Sequence, residues 1–182
     1  MKKSDRTKEM FAEALRGLAG GKPVDKVTVG EICARAGKAP ATFYRHFRDK
    51  YDLAAWDYAR AVGAIMARIG RDGYRWRDTL LDGALFWQER RPYLRNLLQN
   101  TGGYDSFSRY MVAENARALS AALDDLGAPS SLETKAYVLA YCAGTVRLAF
   151  DWILGRIDCP PEQLAQIMED CLPLPLRDVL LG

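Results

Sequence analysis

Apolar positions recur at spacings of three and four along almost the whole chain, the period of an amphipathic helix. No alternating run of strand length interrupts them. Phe11, Ala14, Leu15 and Leu18 form the first stripe, which predicts a helix from about Ser4 to Ala19, ended by Gly20-Gly21. Thr28-Val29-Gly30-Glu31 has the form of a capping box: the threonine hydroxyl accepts from the Glu31 amide, and the Glu31 carboxylate returns to the Thr28 amide. It predicts a short helix over Val29 to Ala36 that buries Val29, Ile32 and Cys33 and stops at Gly37. A third helix is expected near Pro40, because a proline in the first turn gives up no intrahelical bond. Phe43 and Phe47, four apart, face inward together.

The pattern then predicts a long helix from about Asp49 to Ile69, followed by Trp76–Gln88, Tyr93–Gln99, Asp105–Leu126 and Leu132–Gly155. Loops are expected at Thr101-Gly102-Gly103 and Gly127-Ala128-Pro129. A last helix starts near Glu162 and is disturbed by Pro173 and Pro175. The helix over 132–155 is apolar on two sides, so it packs on two sides. A central helix of a monomer and a helix shared with a second subunit both fit. The fold class is therefore all-α: a three-helix head over residues 1–52 and a helical body of about five to six helices over residues 53–182.

Charge is distributed unevenly. The net charge of +3 divides into +5 over residues 1–60 and −2 over the remainder. A basic end that meets an anionic polymer has this distribution, and so does a chance surface imbalance. Lys2, Lys3, Arg6 and Lys8 fit either a phosphate-reaching arm or a solvated terminus. The cysteines (Cys33, Cys142, Cys159 and Cys171) form no CxxC pair, and His46 is the single histidine, so no metal site and no cofactor are expected. No nucleophile has a base near it in sequence and no glycine-rich phosphate loop is present, so an enzyme is not expected. The N-terminus has no apolar run. The most apolar stretch, Ala136–Phe150, contains Arg147 and is shorter than the roughly 20 residues that span a bilayer. No membrane partner is expected, and the cytoplasm is the expected compartment.

Two short helices joined by a glycine turn form a helix-turn-helix, whose second helix enters the DNA major groove. Burying Phe43 and Phe47 leaves Lys38, Ala41, Thr42, Arg45 and His46 outside, with Tyr44 at the edge. Small residues at Ala39 and Ala41 permit close backbone approach. Arg45 can offer a bidentate fork to guanine, and Lys38 a point charge to guanine or phosphate.

The run Val27-Thr28-Val29-x-Glu31-Ile32-Cys33-x-x-Ala36-Gly37, followed by Thr42-Phe43-Tyr44-Arg45-His46-Phe47-Arg48-Asp49-Lys50-Tyr51-Asp52-Leu53, resembles the TetR family of bacterial regulators. The body, with Asp151-Trp152-x-x-Gly155, resembles the branch that includes regulators of the dihydroxyacetone kinase type. The resemblance implies that Thr28, Thr42, Tyr44, His46 and Lys50 contact DNA phosphates, and that Lys38, Pro40, Ala41 and Arg45 read bases. It further implies a double-stranded operator, a homodimer formed through the last two helices, and a small-molecule effector held among the body helices. Trp56, Phe86, Trp87, Tyr93, Phe107, Tyr110, Tyr137 and Tyr141 are the aromatic candidates for an effector pocket, with plain core packing as the other reading. Arg90, Arg91 and Arg95 fit an anionic effector or an exposed cluster equally well.

Three positions depart from the family pattern. Lys38 stands where an apolar residue is usual, and either points to DNA or loosens the turn. Ala39 replaces a serine cap worth about 1 kcal/mol. Gly30 inside the second helix costs roughly 1 kcal/mol against alanine. They motivate the alternative to a DNA-binding regulator: a TetR-like co-regulator acting through protein contacts, with weak or lost DNA binding.

Overall fold

A computed structural model describes residues 3–101 and 104–181, whose regular elements are all helical, with no strand among them. The helices are α1 (Lys3–Ala19), α2 (Val29–Ala36), α3 (Pro40–Tyr44), α4 (Lys50–Met66), α5 (Trp76–Glu89), α6 (Arg91–Asn100), α7 (Tyr104–Asp125), α8 (Leu132–Ile153), α9 (Pro161–Asp170) and α10 (Leu174–Leu180). A single 3-10 turn, Val24–Lys26, lies between α1 and α2. The expected loop residues Gly102 and Gly103, and Lys2 of the basic terminus, lie outside the described residues. No helix among the described residues is long and apolar enough to cross a membrane.

The chain forms two compact units. The first runs to Arg60 and also takes in Pro92–Phe107. Its core is aromatic: Phe11 of α1 meets Phe43 of α3 edge-on at 5.2 Å, Phe43 meets Phe47 at 5.7 Å, and Phe47 meets Trp56 of α4 at 5.8 Å. Phe11, Leu15, Phe43 and Leu53 are completely buried. Leu18, expected in the same stripe, is only half-buried, and so is Val29.

Polar groups complete this unit. Arg16 of α1 reaches the buried Asp57 of α4 at 2.5 Å and Glu9 at 2.8 Å, while Arg60 holds the other Glu9 oxygen at 2.5 Å. The pairing raises the Arg16 pKa against the opposing effect of its own burial. Asn96 of α6 donates to the carbonyls of Ala19 and Lys22 and accepts from the Val24 amide at 2.8 Å. One amide side chain thus satisfies three backbone groups where the chain leaves α1, groups that helix ends otherwise leave unpaired.

The second unit comprises Ala61–Arg91 and the chain from Ser108 onward. Trp76 of α5 and Trp152 of α8 are fully buried. The Trp76 indole donates to Tyr141, whose hydroxyl donates to the Met168 carbonyl of α9 at 2.9 Å. Arg91 donates to the carbonyls of Trp152 and Ile153 at the end of α8, supplying donors to carbonyls the helix end leaves open. Arg90 lies 4.7 Å over the Phe86 ring.

Among the described residues the stretch after Leu172, expected as the disturbed end of the last helix, forms a short helix of its own. Pro173 stops the chain after α9, and α10 then starts with Pro173 at its cap and Pro175 in its first turn. Arg177 of α10 ties the break together by donating to the Asp170 and Leu172 carbonyls.

Asp57 is a buried carboxylate, and removing it takes away the buried one of the two carboxylates that pair with Arg16, leaving only Glu9. Asp57→Ala is expected to lower unfolding free energy by about 3 kcal/mol in urea titrations. Arg48→Ala, at a side chain 88% exposed, is expected to change it by less than about 0.5 kcal/mol.

Candidate nucleic-acid interface

The sequence of α2 dictates both of its ends. Thr28, in extended backbone, accepts from the Glu31 amide at 3.2 Å, and Glu31 Oε2 accepts from the Thr28 amide at 2.8 Å. This is the expected capping box. Lys22 adds a 2.5 Å pair to the second Glu31 oxygen. It lies nine residues away, too far in sequence for any local spacing rule to suggest. The lysine hydrogen bond, followed by those from the Thr28 amide and hydroxyl, lowers the Glu31 pKa to about 2.

The other end of α2 closes on Gly37, whose φ of 61° lies in the left-handed region that costs glycine nothing. The Gly37 amide donates to Ala34, and the Lys38 amide to Cys33 at 3.0 Å, the two bonds of a Schellman motif. The turn carrying Lys38 is therefore fully hydrogen-bonded, and Lys38 does not loosen it.

α3 has only five residues, and its cap residue, Ala39, offers no side-chain acceptor. Main-chain bonds from Arg45 to Ala41, from His46 to Phe43 and from Phe47 to Phe43 carry the turn beyond the regular helix. Phe43 and Phe47 are buried as expected. Thr28, Pro40, Ala41, Tyr44 and Arg45 are exposed, while Lys38, Thr42, His46 and Lys50 are half-buried. Burial, followed by the nearby Arg45 and Lys8 charges, lowers the His46 pKa. Lys8 lies 5.5 Å over the Trp56 ring and 5.9 Å over that of Phe47, so this basic residue packs on the head.

Lys50 has a role the sequence does not indicate. Its ammonium donates to the Asp25 carbonyl at 2.6 Å and the Val27 carbonyl at 2.7 Å, clasping the segment that leads into the α2 cap. Burial lowers its pKa. Asp49 caps α4 by accepting from the Tyr51 and Asp52 amides, both at 2.8 Å.

The eight aromatic candidates for an effector pocket fall in different surroundings. Phe86 and Trp87 line one cavity of about 50 Å³ in the second unit. Trp56 packs on Phe47, and Phe107 on Tyr58. Tyr93 is buried in the first unit, and Tyr110 is half-buried on α7. Tyr141 is committed to Trp76 and Met168, and Tyr137 is 41% exposed. A wider groove of about 480 Å³, with Met66, Arg117 and Leu126 among its walls, contains none of the eight. The Trp87 indole N–H is buried without an acceptor among the described residues, a state that costs about 1–3 kcal/mol.

A capped bracing helix, a closed glycine turn and a short helix seated on aromatics define a helix-turn-helix head. Residues 11–55 match the sequence model described as bacterial regulatory proteins, tetR family. The whole chain superimposes on the dihydroxyacetone kinase operon activator DhaS with a TM-score of 0.69 at 17% identity, covering 96% of this chain and 97% of that one. A TetR transcriptional regulator from Rhodococcus sp. RHA1 gives 0.65 at 17% identity, covering 96% and 98%. Another transcriptional regulator from the same Rhodococcus gives 0.57 at 19%, covering 94% and 96%. Residues 11–55 thus match the model of the tetR-family head, and the fold of the chain is similar to that of these regulators.

The Glu31 carboxylate is depressed in the folded protein, so its contribution to stability is complete above its ordinary pKa of 4.5 and is lost as pH falls toward about 2. The stability gap between wild type and Glu31→Gln is expected to be constant from pH 7 to about 4.5 and to close below it, as followed by urea titrations at each pH.

Proposed function

We propose that this protein is a sequence-specific DNA-binding transcriptional regulator, acting as a ligand-responsive homodimer. The observation that carries the DNA-binding reading is the division of the segment from Lys38 to Lys50. Phe43 and Phe47 are buried beneath it, while Pro40, Ala41, Tyr44 and Arg45 are exposed. In this reading Arg45, Lys38, Pro40 and Ala41 meet base edges, and Thr28, Thr42, Tyr44, His46 and Lys50 meet phosphates. Two ammonium protons of Lys50 are held by carbonyls, and the third serves a phosphate. The intact Schellman turn at Gly37 favours this reading over a co-regulator that has lost DNA binding.

Dimerisation is supported by α8, which leaves Leu132, Ala136, Leu139, Ala140, Ala143 and Gly144 exposed along one stripe. Leu132 is 85% exposed, and Leu174 of α10 is 76% exposed. Small residues among the leucines allow a second helix to approach closely. A second copy of the last helices would bury these side chains, and apolar burial is the main drive for such association.

Fluorescence anisotropy against the DNA upstream of its own gene tests the first part. Wild type is expected to prefer that DNA over scrambled duplex at moderate salt. Arg45→Ala is expected to shrink this preference about tenfold or more. Lys50→Ala is expected to weaken all sequences alike and reduce the salt slope by about one unit. Equal binding of both duplexes by the wild type would overturn the reading. Sedimentation velocity tests the second part: the wild type is expected to run as a dimer, and Leu139→Glu as a folded monomer.

A further inference from the structure

The Glu31 carboxylate stands in an adverse position for a protein that meets a polyanion. Its Oε2 accepts from the Thr28 amide at 2.8 Å and from the Thr28 hydroxyl at 2.9 Å. The capping box thus puts a negative charge in direct contact with a side chain assigned above to a DNA phosphate. The Glu31 side chain is 43% exposed, so its charge acts on whatever approaches Thr28. A like charge at that range opposes a phosphate. The other oxygen, Oε1, accepts from the Lys22 ammonium at 2.5 Å. Lys22 is itself held in place, because its carbonyl accepts from Asn96 at 2.7 Å.

The cap does not require this lysine. Glutamine completes a capping box as well as glutamate does, since the box uses one side-chain oxygen as acceptor. The ammonium therefore contributes something other than the cap. Burial, with the Lys22 and Lys26 charges after it, lowers the Lys50 pKa, so these three cations share one neighbourhood at the entry to α2. Lys26 has its own acidic neighbour, Asp25, at 3.4 Å.

We propose that Lys22 is a positioning residue for DNA binding: its ammonium holds and neutralises the Glu31 carboxylate, so that the phosphate met by Thr28 approaches a neutral pair, and Lys22 does not itself touch DNA. The proposal rests on the DNA-binding reading above and adds to it a residue outside the phosphate and base contacts named there. Two other roles for Lys22 have different consequences. A lysine bound directly to phosphate matters equally with and without Glu31. A lysine that only stabilises α2 fails in the same direction as Glu31.

Fluorescence anisotropy of the full chain with the upstream DNA and with scrambled duplex, at one moderate salt concentration, separates the three. Lys22→Met keeps the aliphatic stem and removes the charge. Glu31→Gln keeps the capping box and removes the opposing charge. Lys22→Met is expected to weaken both duplexes alike by about three- to fivefold, the range of an exposed charge pair. Glu31→Gln is expected to bind at least as tightly as wild type, and Lys22→Met/Glu31→Gln to return to within about twofold of it. Lys22→Arg is expected to bind as wild type, because a guanidinium also pairs with a carboxylate. Melting temperatures establish that each variant is folded. Unchanged binding by Lys22→Met overturns the proposal. So does a double variant as weak as Lys22→Met, which makes Lys22 a phosphate contact, and so does equal weakening by Glu31→Gln, which leaves the pair a structural role only. All three results spare the DNA-binding reading. Equal binding of the two duplexes by wild type removes sequence specificity, and the variants still decide the role of Lys22. A wild type that binds neither duplex removes the DNA-binding reading and the proposal with it.

Discussion

The edge-on contact of Phe11 with Phe43 governs the head. A helix of five residues does not hold itself together in water, because its nucleation cost is never recovered by so few bonds. α3 persists because Phe43 is seated at its centre against Phe11, with Phe47 and Trp56 extending the cluster into α4. Everything exposed around α3, Ala41, Tyr44 and Arg45 included, takes its direction from that anchor. The missing side-chain cap at Ala39 is tolerable for the same reason, since tertiary packing supplies the stability that local bonds do not.

Around this anchor, polar groups set the geometry of the approach to α2. Glu31 is held by Lys22 and Thr28, Lys50 clasps the carbonyls of Asp25 and Val27, and Asn96 closes the backbone between α1 and the 3-10 turn. These bonds join residues of very different sequence separation into one rigid entry to the bracing helix. Lys50 illustrates how one cation does two jobs. Its stem and two of its protons hold the loop, and the positive charge stays at the mouth of the segment that carries Thr28.

The second unit is organised around buried indoles whose N–H groups find acceptors, Trp76 on Tyr141 and Trp152 on Cys159. Trp87 breaks that rule beside a cavity and a helix-interior glycine that leaves space unfilled.

Local interactions are what the sequence could declare. The capping box at Thr28 and Glu31, the glycine stop at Gly37, the proline start at Pro40 and the Phe43–Phe47 pair all act over four residues or fewer, and each appears as a spacing. The all-helical class follows from periodicity, and the head motif from a short dense signature. The Arg16–Asp57 pair, the Lys22–Glu31 pair, the Lys50 clasp and the Asn96 triad join residues from 9 to 77 positions apart, and no periodic pattern encodes such partners. The aromatic candidates in the body show the same limit. Composition names eight rings, but only packing decides that Trp56 belongs with Phe47, that Tyr141 serves Trp76, and that Phe86 and Trp87 face a cavity. Short-range hydrogen bonding and helical periodicity are written along the chain. Which buried donor is left without a partner is settled only when distant segments meet.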